Sequence, residues 1–298
     1  MSRPDRIQAI SEGTRSERDA YLDHLGWSDN PFAHPATMDE YVLPGESVIA
    51  DIATHLRDYT GPVLIHSAYS GVGKTTLLRM LLDSYSEEFT PVMLGEHNVT
   101  AYELIAIFAD ELGIGKSSST KLTERKVRNA LDEREKPVLV GVDEFGLNDR
   151  ETLHVIQFLN DLPDVRVIMT GMTSQWEAIG DLGSDGQAFQ RRMSHELELG
   201  PISREQTTEL YQRRVASVTD HDHDEYPEVP LDPLTSDALD VIHERSAGIP
   251  AVMIAALAEL VGLAAYRYAE IDDPTISVDV ADRIDYADPH ADNPKQSQ

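Results

Sequence analysis

The chain has 298 residues, 41% of them hydrophobic, with 25 basic and 53 acidic side chains, no cysteine and a formal net charge of −28. That length suits one core domain with a smaller module attached, while the missing cysteines exclude disulfides and thiolate metal sites and fit a reducing compartment. The charge repels nucleic-acid phosphate on average, so any DNA contact has to come from a local basic patch or a partner; no run of about 18 apolar residues suggests a membrane span, and the polar start MSRPDRIQAISEG offers no secretory signal, so a cytoplasmic location is expected.

In chain order, the run PVLIH (62–66) reads as a strand that leads into a glycine loop, and KTTLLRMLLDSY after it has helical spacing with leucines on one face. Further strand-like runs follow at 90–94 (TPVML), 137–142 (PVLVGV), 165–169 (VRVIM) and 195–199 (HELEL). Between them lie the helical stretches AYELIAIFADELGI, TKLTERKVRNALDERE and RETLHVIQFLNDL. Strands alternating with helices predict an α/β fold, a parallel sheet with helices on both faces. Beyond about Gly200 the strand signals stop and SREQTTELYQRRVASV, TSDALDVIHERSAG and AVMIAALAELVGLAAYRYAE read as helices, separated in part by the proline-bearing loop TDHDHDEYPEVPLDP. The expected organisation is an N-terminal segment (1–45), an α/β core (46–200), a small all-helical module (201–270) and a partly disordered tail (271–298).

The loop SAYSGVGKTT matches G-x-x-x-x-G-K-[ST] except that Ala68 stands at the first glycine. Such a loop turns consecutive backbone N–H groups inward around phosphate oxygens, reinforced by the positive N-terminus of the next helix. Alanine is tolerable at the first position wherever its φ is negative, and the deeper Gly71 and Gly73 are present. Tyr69, Ser70, Gly71, Val72, Gly73, Lys74, Thr75 and Thr76 are therefore the candidate binding residues, with Lys74 for the β- and γ-phosphates of ATP and the Thr75 hydroxyl for Mg²⁺. A second half-site should be an acid at the end of another apolar strand, and PVLVGVDEFG supplies Asp143 for the Mg²⁺ shell and Glu144 to activate the attacking water. Binding alone needs only the aspartate, so the glutamate beside it argues for hydrolysis.

LGWSDNPF (25–32), the glycine loop, VDEFG and GPIS followed by helices resemble the AAA+ ATPases, especially the branch with the archaeal origin-recognition (Orc1/Cdc6-like) and ExeA/TniB-like proteins, over roughly 21–268. The resemblance implies a P-loop NTPase core with a helical lid, ATP and Mg²⁺ as cofactors, and a homo- or hetero-oligomer acting on DNA or a DNA-bound partner, without a membrane. It puts a polar sensor at TGMTS, where Ser174 takes the place of the usual asparagine and Thr173 precedes it; a hydroxyl there can touch either the water or the γ-phosphate. It puts an arginine finger, lent to the neighbouring subunit, at Arg192, with Arg191 second. Trp27 and Phe32 fall in the segment that walls the adenine side in the family.

The family's G-x-P-R at the lid appears as GIPA, with Ala251 in place of the arginine, and Arg245 is a weak substitute. Fewer than about 35 residues follow Tyr266, too few within this sequence for the winged helix of the origin-binding proteins. The expected function is ATP hydrolysis that drives assembly or remodelling of a partner or DNA complex. The alternatives are a slowly hydrolysing ATP-gated switch, which Ala251 favours, and an origin-binding initiator. Two side signals take bland readings: DHDHDE (220–225) as a solvated loop instead of a metal site, and ERKVRNALDER (124–134) as a salt-bridged helix face. The acids are spread along the chain and arginine carries most of the positive charge, a pattern that resembles proteins of salt-accumulating microorganisms; the other reading is an acidic protein with a basic partner, for which a local patch would be expected.

Overall fold

The computed structural model describes residues 3–35, 37–95, 99–145 and 150–288. In chain order, α1 (Arg3–Leu25) and α2 (Glu46–Asp58) precede β1 (Val63–Ser67), α3 (Lys74–Ser84), β2 (Thr90–Leu94), α4 (Ala101–Glu111), α5 (Thr120–Leu131) and β3 (Val138–Val142). Then come α6 (Arg150–Asn160), β4 (Val165–Met172), α7 (Thr173–Gly180), α8 (Ser184–Gln190), β5 (His195–Glu198), α9 (Arg204–Ala216), α10 (Ser236–Arg245), α11 (Pro250–Ile271) and α12 (Val278–Ala281). They form two compact units, 43–200 and 1–42 with 201–298.

The first unit is a P-loop α/β fold around a five-stranded parallel sheet of order β2-β3-β4-β1-β5. All five strands fall where the apolar runs predict them. β4 runs three residues past the expected 169, because it stays paired with β1 as far as Ser67↔Met172. β1 and β3 are buried along their whole length, as strands covered on both faces must be. Gly141 in β3 lets α3 approach: a Cβ there would lie 2.9 Å from the Leu82 side chain and 3.0 Å from that of Leu78. Because the chain leaves β1 in one direction towards β2 and returns on its other side as β5, the segment after β1 lies at a topological switch point, where such sheets bind ligands. α5 differs from expectation: among the described residues no ion pair joins two of its side chains, and Arg128 instead lies over the Phe158 ring at 5.5 Å.

The second unit is helical. α11 is long and apolar enough to cross a membrane by length and composition, with a mean hydropathy of 1.4, but Met253, Ala256, Leu257, Leu260, Val261, Ala264 and Ala265 form a buried stripe, the pattern of a core helix. The N-terminal segment was expected on the nucleotide site; the contacts found here tie it to the C-terminal helices. Tyr21 donates its hydroxyl to the Pro274 carbonyl at 2.7 Å, and the Phe32 ring lies 5.5 Å from that of Tyr211. Arg214 of α9, 2% exposed, donates to the carbonyls of Pro31 and His34 and pairs with Glu40 at 3.3 Å. Ile276, Val280, Ala281 and Ile284, placed by sequence in a loose tail, are buried in the same core, and 289–298 lie outside the described residues. The segment DHDHDE leads into a short 3₁₀ turn (His223–Glu228), whose Tyr226 ring carries the Arg213 guanidinium at 3.9 Å.

Candidate functional site

β1 ends in Ser67, and the chain turns through residues 68–73 into α3. Gly71 and Gly73 have φ of 77° and 96°, angles that a side chain resists, and Gly73 is the left-handed N-cap of α3. Ala68 is not among the described residues with positive φ, so its methyl brings no strain. Val72 is buried and anchors the loop from below, while Ser70 and Gly71 are exposed. Tyr69 donates its backbone N–H to Ser67 Oγ at 3.0 Å and accepts from Lys74 Nζ at 2.9 Å. Lys74 is 9% exposed, and its ammonium also lies 3.5 Å from Met172 Sδ at the end of β4. Thr75 and Thr76, in the first turn of α3, are half-buried.

Asp143 follows β3 directly, and its N–H is fixed on the Leu94 carbonyl at 2.9 Å. Three donors converge on its Oδ1: the Thr75 hydroxyl at 3.0 Å, the Thr170 hydroxyl at 2.5 Å and the Glu144 N–H at 3.1 Å. The loop and the acid are thus brought together across 68 residues of sequence. Thr170 went unnoticed in the sequence, although TGMTS contains it; the pairing Val142↔Met169 sets Asp143 and Thr170 opposite each other at the next position. Glu144 is exposed and takes a φ of 45°. Phe145 after it is buried, its N–H held by the Thr170 carbonyl at 3.0 Å. Gly171 must be small here, because a Cβ would come within 2.6 Å of the Phe145 ring.

The two sensor candidates separate. Thr173 Oγ1 is 2.8 Å from Nδ1 of buried His66, whereas Ser174 is exposed on the first turn of α7. Arg192 precedes β5, is half-exposed and pairs with Asp161 at 3.2 Å; Arg191 is exposed and turns back to the Gln187 carbonyl. The backbone around Arg192 is locked against the entry to β1. A Cβ on Gly61 would lie 2.2 Å from the Arg192 carbonyl, and Ser194 Oγ donates to the Gly61 carbonyl at 2.8 Å. Since Val63 pairs with His195, Arg192 is at the opposite end of β1 from the loop, about 15 Å or more along the strand. Nearby, burial and the stacked His55 ring, 4.5 Å away, lower the His195 pKa.

In the helical unit, Gly248 has a φ of 68°, and a Cβ there would lie 2.5 Å from the Ile202 carbonyl, so GIPA sets the start of α11 against Pro201 and Ile202, where the chain re-enters the unit. Ala251 is exposed in that first turn. Arg245 is engaged with Asp282 at 2.5 Å.

The residues present fit a Mg²⁺–nucleotide. The left-handed glycines and the N-terminus of α3 form a concave array of N–H donors suited to phosphate oxygens, and the paired Thr75 hydroxyl and Asp143 carboxylate are hard oxygen ligands of the kind Mg²⁺ takes. Two archaeal structures are similar. One is the Aeropyrum pernix ORC2 protein in ADPNP–ADP complexes (TM-score 0.62, 12% identity, 85% of this chain and 70% of that one). The other is the A. pernix ORC1 protein in complex with DNA (TM-score 0.54, 14% identity, 80% and 64%), so this chain spans about two thirds of their length. A Thermotoga maritima RuvB mutant aligns at TM-score 0.50 and 15% identity over 84% of this chain and 71% of that one. At such identities the likeness speaks for the fold alone, and no curated protein sequence matches. The AAA domain family model covers residues 50–229, more than half of the chain and both halves of the site described above, and the chain therefore belongs to the AAA domain family of P-loop NTPases.

Proposed function

We propose that this chain binds ATP with Mg²⁺ and hydrolyses it to drive assembly or remodelling of a partner or DNA complex. The observation that carries the proposal is the meeting of the Thr75 hydroxyl with the Asp143 carboxylate at 3.0 Å, beside a loop whose glycines already hold the phosphate-cradling conformation. Lys74 exchanges the Tyr69 carbonyl for phosphate oxygens when nucleotide enters, and Thr75 and Asp143 hold the metal, which neutralises charge on the phosphates. Glu144, exposed beside Asp143, takes the proton from the attacking water. Arg192 serves a neighbouring subunit: its place at the far end of β1 keeps it from its own loop and suits a residue lent across an interface. The A. pernix neighbours, solved with ADPNP–ADP and with DNA, support nucleotide and DNA as ligand classes to test first.

Binding of ATP by the wild type and by Lys74→Ala, titrated with and without Mg²⁺, tests the reading. The variant loses binding, since its ammonium is the cation the loop directs to the phosphates; unchanged affinity refutes the site. A second reading, an ATP-gated switch that hydrolyses slowly, is favoured by Ala251, which leaves the first turn of α11 without an arginine for the γ-phosphate. Single-turnover hydrolysis slower than nucleotide release would select it.

A further inference from the structure

We propose that His66 is a positioning residue that fixes the hydroxyl of Thr173 as a hydrogen-bond acceptor towards the attacking water; the inference rests on the ATPase reading above. His66 is buried near the end of β1, one residue before Ser67. Its Nδ1 lies 2.8 Å from Thr173 Oγ1 and its Nε2 lies 3.1 Å from Glu196 Oε1 on β5. The same Glu196 oxygen accepts from the Trp176 indole N–H at 3.0 Å.

These contacts determine the tautomer. An indole nitrogen only donates, and a carboxylate oxygen only accepts. A bare Nε2 would set lone pair against lone pair across 3.1 Å, so neutral His66 carries its hydrogen on Nε2 and its lone pair on Nδ1. Thr173 then gives its single hydroxyl hydrogen to Nδ1. What Oγ1 has left is lone pairs: it can receive a hydrogen from water and cannot donate to a phosphate oxygen, which resolves the two sensor roles the sequence leaves open.

The residue before Thr173 reaches the loop lysine. Met172, one residue earlier, touches Lys74 through its sulfur, and Phe145, next to Glu144, stands edge-on to Trp176 with centroids 6.4 Å apart. The His66–Glu196–Trp176 group thus holds Thr173 and backs the segment that carries Glu144.

Two substitutions separate the two imidazole nitrogens. His66→Asn keeps an acceptor near the place of Nδ1 and gives up the reach to Glu196; His66→Gln keeps a donor near Nε2 and gives up the acceptor. Steady-state ATP turnover of the full chain should fall about tenfold or more in His66→Gln, with KM for ATP within about twofold, and stay within about threefold in His66→Asn. Thr173→Val should match His66→Gln, and the double variant should fall no further. A merely structural tie between β1 and β5 gives the reverse order, with His66→Gln the milder. Equal or reversed kcat values beside an active wild type overturn this inference and leave the ATPase reading standing. A wild type that binds ATP without turnover overturns both. The ¹⁵N chemical shifts of His66 in the folded wild type read the tautomer directly: a hydrogen on Nε2 alone supports the assignment, and one on Nδ1, with or without one on Nε2, overturns it even if the variants fail to fold.

Discussion

In the α/β unit five of the buried polar side chains, His66, Ser67, Lys74, Asp143 and Thr170, gather at the carboxyl ends of β1, β3 and β4, where three donors meet one Asp143 oxygen. In the helical unit Arg214, Glu40 and Asn30 are equally buried, yet their partners are mostly backbone groups of their own unit: the Pro31 and His34 carbonyls for Arg214, the Thr37 N–H for Glu40, and the Ala258 carbonyl and Phe32 N–H for Asn30. Burial of polarity is therefore no mark of chemistry by itself. In one unit it gathers beside the glycine loop, where we propose a metal and phosphate site; in the other it fastens the N-terminal segment to helices some 180 residues away in sequence.

The contrast predicts that changes in the two units are read by different instruments. The largest effect is kinetic. Arg192→Ala lowers ATP turnover by about 10³-fold, roughly 4 kcal/mol of barrier, with ATP binding unchanged. Mixing it with Lys74→Ala restores part of the rate, and turnover per subunit rises with protein concentration in the wild type. A fully active Arg192→Ala protein, or turnover independent of concentration, breaks the oligomer assignment. Next comes Arg214→Met, which strands Glu40 in the core and costs about 3 kcal/mol or more of stability. Its melting temperature falls by roughly 10 °C, while nucleotide affinity of the folded protein at low temperature stays the same; lost affinity would mean that the polar core of the helical unit serves the site as well. Gly171→Ala is smaller, about 1–3 kcal/mol of overpacking against Phe145. It should lower kcat as well as melting temperature, since Phe145 carries the position of Glu144; a purely thermal effect would confine Gly171 to packing. The smallest is global. Raising KCl from 0.1 to 1 M shortens screening from about 10 to about 3 Å, and the melting temperature should rise by a few degrees given the charge of −28. Equal values in both salts would contradict a surface adapted to salt.

What the sequence made legible was local. The strand, glycine loop and helix at 62–84, and the acid pair after PVLVGV, carry their signals within a few residues, and the apolar runs set all five strands. Contacts spanning large separations were not legible: His66 to Thr173 spans 107 residues and Arg214 to Pro31 spans 183. A histidine in an apolar run reads as a strand residue until the neighbouring strands are known. What the N-terminal segment packs on was not legible for the same reason, because Trp27 and Phe32 announce burial but not against what. The short helices α7 and α8 lack a long apolar period, and the cap of α7, Gln175 reaching back to the Met172 N–H, is no strong sequence signal, so their places follow from the β4–β1–β5 order.

Glu144 has one more implication. Its φ of 45° lies where a residue with a Cβ costs about 1–2 kcal/mol, and the backbone cannot relax, because Asp143 and Phe145 on either side are bonded to Leu94 and Thr170. Glycine would suit that position better than the glutamate that the proposed hydrolysis needs. A selection of random variants for heat resistance alone should therefore recover Glu144→Gly as a more stable protein with no turnover, so that heat resistance and hydrolysis pull this one position in opposite directions.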